Sequence, residues 1–354
     1  RFSCRLDAEE PPQLCNLKCY LCSVMNKKKI STAISDPEKA YEFLRDRFHP
    51  LYLMDCLSLA FTSRYPVGTH VLNRDWDLLI ILDTCRVDAM QTVKSEYDFI
   101  DSVDRIWSRA GSSPDWIAHT FDKDYDEVLQ DTAYLTANPH AETVLDDQEY
   151  IPEKHSAAAT RFYRCGSWDQ IRPSTLARFE RIWKYEVDNK MKKLGGYTPP
   201  RVVTDRGIDV MRNYDCDRVI LHYMQPHYPY ISKAVEEERR LHEYEKHPKQ
   251  LKKVGKEKVY QAYLDDLRYV LNDVEMLLKN VDAEKVVISA DHGDAFGEWW
   301  MFGHDPGRIH PQVRYVPWIE TSGIDEGTYT PSTDAIEETS RSTEEQLRAL
   351  GYKN

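Results

Sequence analysis

The stretch Trp76-Asp-Leu-Leu-Ile-Ile-Leu82 packs five apolar residues in a row and closes on Asp83. A strand with one wet face alternates apolar and polar side chains. An unbroken apolar run this short therefore reads as a strand covered on both faces, as in a parallel sheet flanked by helices. Two later runs share the character: Arg218-Val-Ile-Leu-His-Tyr-Met224, and Lys285-Val-Val-Ile-Ser-Ala290, which ends at Asp291. Between them, Tyr260 to Val281 carries Tyr260, Tyr263, Leu264, Leu267, Val270 and Leu271 at helical spacing. Strand, long helix and strand predict an α/β fold with a mostly parallel, doubly wound sheet.

Upstream, Pro37 to Phe48 has a helical apolar period after a Ser35-Asp36 start, in a Cys-rich and helical N-terminal extension over 1–70. The main domain runs over 71–325. Within it, Val235 to Lys258 is dominated by charge and reads as a solvated helical insertion. Residues 326–354 form a Ser-, Thr-, Glu- and Pro-rich linker, then a short helix from Glu344 to Leu350 stopped by Gly351.

The 354 residues are 41% hydrophobic and 30% charged, the balance of an ordinary globular protein with a sizeable core. A net charge of −12 argues against a nucleic-acid partner, although a metal and local cations can still reverse the field in one cleft. No apolar run approaches the roughly 18 residues that span a bilayer. The best, Leu51 to Phe61, is short and interrupted by Asp55. With no signal peptide recognisable, the expected location is cytoplasmic.

The chemistry gathers where the strands end: Asp83-Thr-Cys-Arg86, Gln225-Pro-His-Tyr-Pro-Tyr230 and Asp291-His-Gly-Asp294. In open α/β sheets ligands bind beyond the carboxyl ends of the strands. A lone Asp there is usually a helix cap. Two aspartates and a histidine converging on one rim instead suggest a divalent cation, because a buried carboxylate is costly unless paired or metal-bound. Oxygen ligands alone suit calcium or magnesium, and an added imidazole shifts the preference toward manganese or zinc.

The order of these motifs resembles the alkaline phosphatase and sulfatase superfamily over residues 76 to 354. Asp83-Thr-Cys-Arg-Val-Asp88 is similar to its Asp-Thr-Leu-Arg-Ala-Asp, and Pro226-His-Tyr-Pro-Tyr230 to its Pro-His-x-Pro-Tyr. Ala290-Asp-His-Gly-Asp294 with Gly303-His304 looks like its Ser-Asp-His-Gly-Glu and later Gly-His. Tyr315-Val-Pro-Trp-Ile-Glu320 and Glu345-Gln-Leu-Arg-Ala-Leu-Gly-Tyr352 also match the family's closing stretches.

The resemblance implies a sulfatase-like hydrolase or phosphotransferase with a divalent metal (manganese, zinc or calcium) on Asp83, Asp291 and His292. Its nucleophile would be Ser112, in Ser112-Ser-Pro114, attacking a phosphate ester to form a covalent intermediate. Sulfatases that oxidise their nucleophile carry an Arg two residues past this Pro; Trp116 stands there, which favours phosphorus over sulfur. His227 and His304 fall in the family's substrate-side positions, and Arg86 is a candidate for the transferring group's charge or for a salt bridge with Asp88. Asp294 and Glu298 read as loop supports. His222 reads as a buried strand residue, and Gln225 replaces the family's frequent Asp. The substrate would be a small-molecule, lipid or glycan phosphate ester. The rival reading is a binding or structural protein that keeps the fold without catalysis.

Cys15-Asn-Leu-Lys-Cys-Tyr-Leu-Cys22 has the spacing of the radical S-adenosylmethionine enzymes, without the βα barrel that they require. Together with Cys4, the cysteines Cys15, Cys19 and Cys22 could make a Cys₄ zinc knuckle or a pair of disulfides, and a structural zinc site or free thiols is the preferred reading. Cys56, Cys85, Cys165 and Cys216 are scattered, as reduced thiols usually are.

Overall fold

A computed structural model describes residues 50–148, 166–246, 254–332 and 342–349. The chain divides after Met54, and the unit 55–354 holds the sheet and the rim at its strand ends. The cluster Cys4, Cys15, Cys19 and Cys22, the expected helix from Pro37 to Phe48, and Cys165 lie outside the described residues. Cys85 and Cys216 are free thiols.

In chain order the principal elements are α1 (Pro50–Thr62), β1 (Leu78–Leu82), α2 (Val87–Val93), β2 (Asp104–Trp107), α3 (Ser113–Thr120), β3 (Thr132–Thr136) and β4 (Arg178–Arg181). They continue with α4 (Pro200–Asn213), β5 (Arg218–Tyr223), α5 (Lys256–Leu278), β6 (Ala283–Ser289), β7 (Ala295–Phe296), β8 (Phe302–Gly303) and β9 (Tyr315–Gly323). Seven strands form one sheet in the order β2-β9-β6-β1-β5-β3-β4. The run from β6 to β4 is parallel throughout. β9 pairs antiparallel with both β6 and β2.

The opening run behaves as a doubly covered strand should. All five residues of β1 are buried, and their pleat sorts them between two cores. Leu78, Ile80 and Leu82 join the core built with α2, α4 and α5. Leu79 and Ile81 join the core built with α3 and Trp76. Trp76 precedes the strand and instead donates its indole N–H to the Val71 carbonyl at 2.8 Å. β6 begins two residues earlier than its apolar run suggests, through an irregularity against β9 between Ala283 and Val286.

Among its described residues the charged segment after β5 is largely solvated, as its composition implies, with Glu245 the buried exception. It forms short helices Ser232–Glu236 and Glu243–Lys246 and then runs into α5. Glu245 within it is buried and paired with Arg239 at 2.6 Å, and its carbonyl accepts the Tyr230 amide at 2.8 Å. The segment thus braces the loop that follows β5. Among the described residues no helix is long and apolar enough to cross a membrane.

Candidate metal centre

Parallel pairing brings the ends of β1, β5 and β6 to one rim. Ile81 is level with Ser289 on β6 and with His222 on β5. Two residues further along this register, Asp83 and Asp291 become neighbours across a strand spacing of about 4.8 Å. The pleat that sends Ile81 toward α3 sends Asp83 the same way, and it sends Ile220 and His222 there from β5.

Asp83 Oδ2 accepts from Asn138 Nδ2 at 2.9 Å and from Ser113 Oγ at 3.3 Å. Asp291 Oδ1 accepts the amides of His292 at 2.8 Å and Thr84 at 3.2 Å. The other oxygens, Asp83 Oδ1 and Asp291 Oδ2, are buried without a hydrogen-bond partner, as is His222 Nε2. His222 Nε2 stands 3.7 Å from Asp291 Oδ2, too long for a hydrogen bond. Asp83, His222 and Asp291 can each offer a ligand atom so that all three lie within 4.8 Å of one another. Three orphaned, inward-facing donor atoms of this chemistry are what a divalent cation satisfies.

The electrostatics agree. Burial, and then the charge of Asp291, push the Asp83 carboxyl well above the usual carboxylate range, against the pull of Ser113 and Asn138. Burial also works to raise Asp291, but His292 and His222 outweigh it and hold that carboxyl below the usual range. Two buried carboxylates this close do not both ionise at little cost unless a cation joins them.

Ser112 and Ser113 open α3, with Pro114 in its first turn. Ser112 is the residue before the helix, yet its side chain makes no capping bond, and its buried hydroxyl has no hydrogen-bond partner. Ser113 Oγ, next in the chain, lies 3.2 Å from His292 Nε2 as well as 3.3 Å from Asp83 Oδ2. His292 Nδ1 faces the Gly293 carbonyl at 2.9 Å. A nitrogen facing a carbonyl carries a proton, so Nε2, toward Ser113 and the carboxylates, is the nitrogen at which the ring can take up or release one. His292 Nε2 is also 3.3 Å from Asp291 Oδ2 and 3.8 Å from Asp83 Oδ1.

Three imidazoles share the mouth of this rim. The His304 ring centre is 4.4 Å from that of His292 and 5.2 Å from that of His227. His304 Nδ1 meets Asp294 Oδ1 at 3.3 Å. Burial, then the neighbouring His304 and His292, lower the pKa of His227 well below its ordinary value, so it is neutral near pH 7.

Arg86 is engaged elsewhere. Its Nε and Nη2 clamp Asp88 at 2.8 and 2.6 Å, while Nη1 donates to the Asp294 carbonyl and to Glu298 at 2.9 and 3.1 Å. With every nitrogen committed, this guanidinium ties the loop after β1 to the loop after β6, and Glu298 also pairs with Lys256. Gln225 donates to the Thr198 carbonyl at 3.1 Å. Two backbone features hold the rim. Thr84 sits in the left-handed region (φ 64), with its carbonyl accepting from Tyr263 Oη, which in turn accepts the Arg86 amide, both at 2.9 Å. A Cβ on Gly293 would stand 2.1 Å from the Gln312 carbonyl, so only glycine lets that strand end pass.

Sequence reasoning passed over Asn138 and Tyr134 and gave His222 a merely structural part. Tyr134 Oη is 3.0 Å from His222 Nδ1, and the Trp116 ring meets the His222 ring edge-on at 5.5 Å. The signal for these residues lies in the pleat of β3 and β5. It becomes readable only once the two strands are paired.

No family model matches the chain, and no curated protein matches it. Among solved structures it is similar to the integral membrane protein lipooligosaccharide phosphoethanolamine transferase A from Neisseria meningitidis, at 14% identity over 93% of this chain with a TM-score of 0.44. The chain spans 66% of the length of that protein. It is also similar to the soluble domain of that transferase (16% identity, 69% of this chain and 75% of that one, TM-score 0.39). A third likeness is to the phosphonate monoester hydrolase of Agrobacterium radiobacter (11% identity, 70% of this chain and 68% of that one, TM-score 0.35).

Proposed function

We propose that this protein is a divalent-metal-dependent enzyme that transfers the phosphoryl part of a phosphate ester through a serine nucleophile, Ser113. The observation that carries the reading is the set of orphaned buried atoms on Asp83, Asp291 and His222 beside the Ser113 hydroxyl. A cation on these three residues would supply Lewis acidity and charge neutralisation to the ester, with manganese or zinc the best match to mixed carboxylate and imidazole donors.

The chain's own groups divide the remaining work. Ser113 attacks phosphorus, and His292 Nε2, 3.2 Å away, takes the hydroxyl proton. As the ester bond breaks, the leaving oxygen meets His304, oriented by Asp294, while neutral His227, its Nδ1 turned to the Tyr228 carbonyl, lines the same mouth. Water or an acceptor alcohol then takes the group from Ser113. Arg86 holds the two loops in place, so it acts on the reaction by positioning. Sulfate esters are the poorer fit, because Trp116 is packed against His222 where an oxidised-nucleophile sulfatase has its arginine.

The test is turnover of nitrophenyl phosphate, bis(nitrophenyl) phosphate, a phosphonate ester and nitrophenyl sulfate, each with manganese, zinc, calcium or a chelator. Metal-dependent turnover of a phosphorus ester above that of the sulfate is expected. Failure with every metal, together with no bound metal by calorimetry, overturns the reading.

Tyr134 gives a second check that does not depend on turnover. For His222 Nε2 to offer a lone pair, Nδ1–H must donate to Tyr134 Oη, 3.0 Å away. Tyr134→Phe removes that acceptor and should weaken metal affinity about 10- to 100-fold, the usual loss when a ligand's orienting partner goes. Titration calorimetry reads it, and unchanged affinity would remove His222 from the ligand set.

A further inference from the structure

We propose that the tip of the β7–β8 hairpin is a lipid-interface anchor. Trp299 and Trp300 would seat the protein on a zwitterionic bilayer or micelle and bring the metal centre to the phosphate esters of amphiphiles. The substrate clause rests on the function proposed above, whereas the docking itself does not.

The hairpin starts directly after Asp294 and ends directly before His304, so its base stands at the rim of the centre and its tip projects from there. Trp300 is 91% exposed and Trp299 63% exposed, and Ile309 on the adjoining loop is 54% exposed. Large side chains are rarely left in water to this degree without a partner. The base below them is rigid: Phe296 is buried against Tyr260 and Tyr263, and Glu298 accepts the Phe296 amide at 2.6 Å while pairing with Arg86 and Lys256. Both indoles sit on left-handed backbone, with φ of 50 and 60, a conformation that bulky residues avoid. The Trp299 ring meets His310 edge-on at 4.6 Å and the Trp300 ring stands out in solvent, so the fold accepts backbone strain to display them, which argues for a use of the rings.

An indole has an apolar body and one N–H donor, the combination that settles at the level of lipid headgroups. The loop that carries Ile309 is tied to a helix with exposed apolar residues of its own. Arg308 binds Asp55 of α1 at 2.9 Å, and that helix keeps Leu57 and Phe61 exposed. The net charge of −12 opposes approach to an anionic surface, which selects a zwitterionic one.

The experiment is co-sedimentation of the full, metal-loaded chain with phosphatidylcholine vesicles, for the wild type and the double variant Trp299→Ala/Trp300→Ala. The wild type should partition onto vesicles. The double variant should lose about tenfold or more in partition coefficient while hydrolysing soluble nitrophenyl phosphate at the wild-type rate. The anchor is overturned if the wild type stays in solution, if the variant binds equally, or if binding needs anionic lipid and disappears with salt. It is equally overturned if sedimentation velocity shows a dimer that the variant abolishes, which would assign the indoles to a second copy. Vesicle binding without hydrolysis of any ester would leave the anchor standing and remove the proposed activity.

Discussion

Ser113→Ala should lower metal-dependent turnover of an activated phosphate ester by ~10³-fold or more, whereas Ser112→Ala should cost less than about tenfold. The two hydroxyls are adjacent in sequence but differ in what they touch. Ser113 Oγ lies 3.2 Å from Nε2 of His292 and 3.3 Å from Asp83, and Ser112 Oγ has no base within hydrogen-bonding distance. A serine hydroxyl is a weak nucleophile until a neighbour removes its proton, so position beside His292 decides the matter. Trapping the intermediate and mapping the modified peptide gives the answer directly. A phosphoryl adduct on Ser112, or full activity in Ser113→Ala, would reverse the assignment.

The second large effect concerns the carboxylates. Asp291→Asn removes one of two anionic donors and should weaken manganese or zinc binding by about 100-fold or more. Asp83→Asn should do likewise, and it should also change how the metal-free protein responds to pH. Burial and the Asp291 charge raise the folded-state pKa of Asp83 above its unfolded value. Its stabilising contribution is therefore complete below the unfolded carboxylate pKa and is lost as pH rises through the raised folded value. Asp291, held below the usual range, contributes in the opposite sense and loses its share only as pH falls through its own lowered value. Metal-free protein should thus lose stability as pH climbs past the ordinary carboxylate range, and either added metal or Asp83→Asn should flatten that slope. Thermal melts across pH, with chelator and with metal, measure it. An unchanged slope in Asp83→Asn would mean that the pair is not electrostatically linked.

The sequence and the structure part company at identifiable places. Asp83 and Asp291 were legible because a buried strand that ends in a carboxylate is a local pattern of a few residues. The doubly covered sheet was legible for the same reason. His222 was not, since an imidazole within an apolar strand faces the core or the site according to the pairing register, and that register is set by β1 and β3 far away in sequence. Tyr134 and Asn138 depend on the same pairing. Ser112 and Ser113 differ by one residue at the start of α3, where adjacent side chains point about 100° apart, and only the packed helix shows that Ser113 Oγ is the one beside His292 and Asp83. Arg86 was expected in two roles, and its bonds to Asp88, Glu298 and the Asp294 carbonyl show the loop-binding one.

The placement of β1 between β5 and β6 has a consequence for assembly. The donor atoms come from residues 83, 222 and 291, and β1 lies between strands that begin at residues 218 and 283. No local piece of the chain contains the site, and its parts meet only after distant segments have closed onto the sheet, a slow kind of step. Tight binding of a divalent ion is then a property acquired at the end of folding. In a ribosome-bound or refolding chain it would serve as a timestamp for the moment when the central sheet closes.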